Sequence, residues 1–106
     1  MQVLAFFSIS PMGQGHSVAE PVARVIELIE ASGLEHDFGP MGTTILGEWD
    51  EVMDLVKRCH ELLAAEHPRV TSLLKLDVKV AGFQGGVRGK VDRVRALMEE
   101  GDAPQR

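Results

Sequence analysis

A chain of 106 residues, 44% apolar and 25% charged, has the make-up of one packed globular unit and excludes a disordered or fibrous polymer. Its 11 basic and 16 acidic residues leave a net charge of -5, the wrong sign for binding built on phosphate contacts, so no nucleic-acid partner is expected. No stretch reaches the roughly 18 apolar residues of a membrane span, the apolar N-terminus lacks a basic preface, and Cys59 has no second cysteine to pair with; together these predict a cytoplasmic protein.

Gln2 to Ile9 is a continuous apolar run of strand length, ended by Ser10-Pro11. Val3, Ala5, Phe7 and Ile9 lie on one side, and Leu4, Phe6, Ser8 and Ser10 on the other. A strand apolar on both faces is covered twice, which with helices on one face predicts a second subunit on the other. Gly13-Gln14-Gly15-His16 is a flexible connection, because Val18 occupies the place of the third glycine in a dinucleotide fingerprint. Ser17 with Glu20 reads as a capping box, and Val18, Val22, Val25, Ile26 and Ile29 form the buried stripe of a helix over about 18–32, closed by Gly33.

The segment 34–38 reads as a short strand. Gly39-Pro40 turns it, Thr43 to Leu46 resume as a second strand, Gly47 breaks it, and a helix runs from Trp49 to about Glu66 before Pro68. Arg69 to Val80 alternates: Leu74, Leu76, Val78 and Val80 face the helices, and Lys75, Asp77 and Lys79 face away. A loop over 82–89 leads to a short helix at Lys90 to Met98, and 101–106 reads as a frayed tail behind a single domain over 1–100. The order βαββαβ with an added C-terminal helix places the chain in the α+β class.

Little of the usual catalytic equipment is present. The histidines lack metal-ligand spacing, Cys59 sits in the buried stripe of its helix, and Gly85 to Lys90 fails as a phosphate loop because Gln84 and Val91 stand where glycine and a hydroxyl are required. The chain is therefore expected to be no enzyme and to need no cofactor or metal. What remains is a polar set on the helix-free sheet face: Ser8, Ser10, Thr43 or Thr44, Lys75, Asp77 and Lys79, with Phe6, Met12 and Met41 close by in sequence. Hydroxyls and a carboxylate amid flat or polarisable side chains suit a small heteroaromatic ligand; the same groups could equally satisfy one another at a subunit interface.

Ser10-Pro11-Met12-Gly13, Gly39-Pro40-Met41-Gly42-Thr43, Gly47-Glu48, the helix start Asp50-Glu51-Val52, Cys59-His60 and Leu76-Asp77 together resemble the thiamine-binding protein family of the YkoF-like group, over about residues 3–98. The resemblance implies a ferredoxin-like plait, dimers and tetramers built through the sheet, and binding of thiamine or its hydroxymethylpyrimidine half without catalysis. Leu46 stands where members commonly carry glutamate and Lys79 where arginine is usual, which bears on specificity. The alternative is a structural or regulatory plait that binds only protein. On the ligand reading, Phe6, Ser8, Ser10, Met12, Thr43, Thr44, Lys75 and Asp77 are the expected binding residues.

Overall fold

The computed structural model describes residues 1–13, 15 and 18–101. Ser17 and His16, singled out above for a cap and a turn, lie outside the described residues, as do 102–106. The elements are β1 (Gln2–Pro11), α1 (Ala19–Ala31), β2 (Glu35–Phe38), β3 (Thr43–Glu48), α2 (Trp49–Ala64), β4 (Val70–Val78), a 3-10 turn (Gly86–Arg88) and α3 (Gly89–Gly101). The four strands form one antiparallel sheet in the order β2-β3-β1-β4, with α1 and α2 on one face; this is the ferredoxin-like plait with a C-terminal helix.

The core follows from strand alternation. Val3, Ala5, Phe7 and Ile9 of β1 and Ile45 of β3 meet Val25 and Ile29 of α1 and Val52, Leu55, Val56, Cys59 and Leu63 of α2. Helix α2 carries a capping box: the Glu48 and Glu51 side chains each take the other's backbone N–H, so the strand passes straight into the helix. Helix α1 starts after Val18, whose own side chain makes no cap bond, and Gly33, at φ +77°, takes the left-handed conformation that ends it.

Three boundaries differ from the sequence reading. Gly47 does not interrupt β3, because it pairs with Val3 in the ladder. Strand β1 continues through Pro11, which lies opposite Val70, since β3 already ends opposite Phe7 and a proline there removes no bond on that side. Strand β4 stops at Val78, leaving Lys79 outside the ladder and Val80 98% exposed.

The helix-free sheet face is also not wholly bare, as it was expected to be. After β4 the chain crosses it to the far edge: the Phe83 N–H donates to Gln2 Oε1 (2.6 Å), the Val87 N–H to Glu35 Oε2 (2.8 Å), and Arg88 pairs with Asp37 (3.2 Å). Gln2, Glu35 and Asp37 all occupy that face, and this strap buries Leu46 to 6% exposure although Leu46 points away from the helices. The strap ends on Gly89, where a side chain would collide with the Gln84 carbonyl. From there α3 projects outward, which stretches the chain to 55 Å and gives a radius of gyration of 16.5 Å; a compact chain of this length has about 13 Å.

Candidate functional site

A cleft of about 300 Å³ lies where the ladder runs out. Its floor is Phe7 to Ser10 of β1, one wall is Val22, Ile26 and Ile29 of α1, and the other is the β2–β3 turn from Phe38 to Thr43. The floor exists because β1 outlasts β3. Pairing with β3 ends at Phe7–Thr43, whereas pairing with β4 continues to Pro11. The Met12 N–H bonds the Arg69 carbonyl (2.9 Å), so the even-numbered main-chain groups of β1 point toward β4 and the odd-numbered ones toward β3. The N–H and C=O of Ile9 therefore point to the side where no β3 residue stands.

The turn is held in shape by a hydrogen bond from the Gly39 N–H to the Gly42 carbonyl (2.9 Å) and by close packing beneath Gly42. A Cβ added there would lie 2.5 Å from Phe6 Cζ and 2.9 Å from the Phe7 carbonyl oxygen. Thr43, opposite Phe7, faces the helix side at 3% exposure and lines the cleft, where its hydroxyl has no hydrogen-bond partner among the described residues. Among the described residues that line it none is ionisable, and the cleft is largely apolar, with the Thr43 hydroxyl and main-chain groups as its polar edge.

The eight residues expected to form one cluster are divided by the sheet. Thr43 lines this cleft from the helix side; Ser8 and Ser10 also border it, but strand alternation puts their side chains on the face of Phe6, so their hydroxyls do not share the Thr43 side of the sheet. Phe6, Thr44, Lys75 and Asp77 line a shallower groove of about 490 Å³ on the opposite face, with Leu4, Leu76 and Lys90. Thr43 and Thr44 are adjacent and must point to opposite faces, and only Thr44 joins the open one. Met12 is 44% exposed and lines neither cavity. Asp77 is held by Lys90, while Phe83 lies within cation–π reach of Lys79 (5.9 Å) and Lys90 (5.6 Å). Sequence reasoning assigned Val22 and Ile26 to packing alone and missed the Ile9 main chain; the available signal was a helix stripe that begins earlier than the strand pair beneath it.

His60 and Cys59 serve the fold. Nδ1 of His60 lies 2.7 Å from the Val56 carbonyl and so carries the proton, leaving Nε2 to accept from the Ser72 hydroxyl at 2.7 Å; the ring ties α2 to β4. Burial pushes the Cys59 thiol from 9.0 up to about 11, with Arg58 pulling only partly back. The unfolded chain then releases this proton at lower pH than the native one, so the contribution is complete below pH 9 and is lost as pH rises toward 11. A shift of that size corresponds to stability on the order of a few kcal/mol. Urea titrations from pH 8 to 11 should show an alkaline loss of that order that is absent in Cys59→Ala.

The fold is a small α+β plait with an apolar cleft at the end of its ladder. The chain belongs to the thiamine-binding protein family, whose family model matches residues 5–95. A UPF0045 protein of Mycobacterium bovis is 42% identical over 73% of this chain and 76% of its own length, and one from Methanocaldococcus jannaschii is 36% identical over 72% and 76%. Among solved structures, a candidate thiamine biosynthesis/salvage protein from Thermotoga maritima superposes with a TM-score of 0.78 at 29% identity, covering 90% of this chain and all of that one. A hypothetical protein from Methanocaldococcus jannaschii gives 0.75 at 29% identity, over 93% and 97%. The family is one of binding proteins and not a known enzyme family, and among the described residues no helix is long and apolar enough to cross a membrane.

Proposed function

We propose that this chain binds thiamine through its aminopyrimidine half in the cleft between α1 and the β2–β3 turn. The observation that carries the reading is the cleft's chemistry among the described residues: apolar walls, no charged lining residue, the Thr43 hydroxyl without a hydrogen-bond partner, and the Ile9 main-chain donor and acceptor aimed into the gap left by β3. A flat, neutral ring with alternating donors and acceptors on its edge matches those groups. The cationic thiazolium finds no counter-charge among the described lining residues and is left toward solvent. At about 300 Å³ the space suits one ring better than the whole vitamin, being at the lower end of small-molecule sites.

Thr43→Val keeps the side chain's shape and removes one hydroxyl, a loss on the order of 1 kcal/mol, rising where the ligand's edge is left unpaired. Calorimetry should show thiamine and hydroxymethylpyrimidine binding weakened several-fold to tens-fold, with little change in melting temperature. No heat with the unmutated protein removes the ligand from consideration.

The protein works as a homo-oligomer of dimers or tetramers in the cytoplasm, binding without turnover. Leu73, Val94, Leu97 and Met98 are all more than half exposed, which supports assembly. Light scattering should give a mass at least twice 11.6 kDa. Incubation with thiamine should yield no protein-dependent product by mass spectrometry; a product lost in Cys59→Ala or His60→Ala would make the protein an enzyme.

A further inference from the structure

Helix α3 is unfinished in the single chain. Val94, Leu97 and Met98 are 55–60% exposed and Val91 is 37% exposed, yet the four fall within one stripe about 120° wide, the pattern of a helix that packs against something. Charge placement makes the same point. Lys90, Arg93 and Arg95 occupy the first half and Glu99 and Glu100 the end, with Asp92 the exception. That order opposes the helix dipole, which favours acids at the N-terminus and bases at the C-terminus. Arg95 and Glu99 stand four residues apart in the less favourable order. Among the described residues, Arg93, Arg95, Glu99 and Glu100 close no ion pair within the chain.

We infer that α3 pairs antiparallel with α3 of a second copy about a two-fold axis near Ala96 and Leu97. At 100° per residue, Arg93 and Glu100 share one flank of the stripe while Arg95 and Glu99 share the other. An antiparallel two-fold brings each flank against the same flank of the partner. Arg93 then faces the partner's Glu100 and Arg95 faces the partner's Glu99, each pair occurring twice, around a seam of Val94, Leu97 and Met98. The charge order that is unfavourable in one helix becomes complementary in two, and the opposed dipoles offset each other. The strap fixes the root of each helix through Gly89 and the Lys90–Asp77 pair, so the arms leave the sheets at a defined point. A helix of 13 residues is about 20 Å long, which makes this a lock on the assembly and not its whole interface.

The inference rests on the homo-oligomer reading above, and one set of variants separates the two. Arg93→Glu with Arg95→Glu, and Glu99→Arg with Glu100→Arg, each place like charges across the seam. Each double variant should raise the dissociation constant for self-association at least tenfold by analytical ultracentrifugation, with unchanged circular dichroism, and mixing the two in equal amounts should restore association as a mixed species. Leu97→Cys in a Cys59→Ala background should oxidise to a covalent dimer. Variants that associate like the unmutated protein, a mixture that fails to recover, or a Leu97→Cys that stays monomeric would overturn the α3 pairing. An unmutated protein that is itself monomeric would overturn the oligomer reading with it.

Discussion

Gly42→Ala is expected to lower unfolding stability by about 1–3 kcal/mol, the range of overpacking in a tight site, and to abolish ligand binding in the same step. The cause is space and not backbone conformation, since Gly42 has no positive φ. Its Cα sits over the Phe6 ring and beside the Phe7 carbonyl, and the added methyl would be 2.5 Å and 2.9 Å from them. The ring can give way by rotating, but the carbonyl belongs to a central strand paired on both sides, so the turn itself must lift. Lifting it moves Thr43 and the cleft wall together. Denaturant unfolding and calorimetry on the same sample check both halves; full stability with full binding would show that the turn is looser than its packing indicates.

Most of the fold was legible because its signals are local. The periodic stripe of α2 and the turn residues at Gly39 and Pro40 each report on a few neighbouring positions, and the structure uses them as read, while the alternation in β4 holds as far as Val78. Gly47 misled because glycine weakens a strand in isolation, whereas here its lack of a side chain lets Val52 and Leu34 pack at the point where a Cβ would come within 3.4 Å of them. The cleft was harder to see. It arises from a mismatch in length between two strands paired across the ladder, and no window of sequence contains both Pro11 and Thr43. Alternation could have separated Thr43 from Thr44, yet register is needed to decide which of the two faces the helices. The main-chain groups of Ile9 carry no side-chain signature at all.

The strap explains why the open face was misjudged. A chain of this composition can cover Leu46 with its own C-terminal segment, using Gln2, Glu35 and Asp37 as anchors that no pattern in the sequence singles out. Once those anchors are spent, α3 has no remaining surface within the chain to cover it. The same feature therefore hides one end of the sheet and creates the exposed stripe.

Val22→Phe should abolish thiamine binding, a loss of at least 100-fold, while leaving the melting temperature unchanged or slightly higher. Val22 is half-buried in the first turns of α1 and forms part of the cleft wall. A phenyl ring on that helix enters the space of about 300 Å³ that the aminopyrimidine would occupy, and it buries apolar surface worth about 25 cal/mol per Å² in doing so. Filling an existing gap avoids the strain of forcing a larger side chain into a packed core, which is why stability and binding should part company. The matched controls lie across the sheet: Thr44→Val and Asp77→Asn alter the groove of about 490 Å³ and should leave affinity within twofold. If those two variants lose binding while Val22→Phe keeps it, the ligand sits on the open face beside Phe6 and Lys75. If all three bind normally, thiamine touches neither cavity.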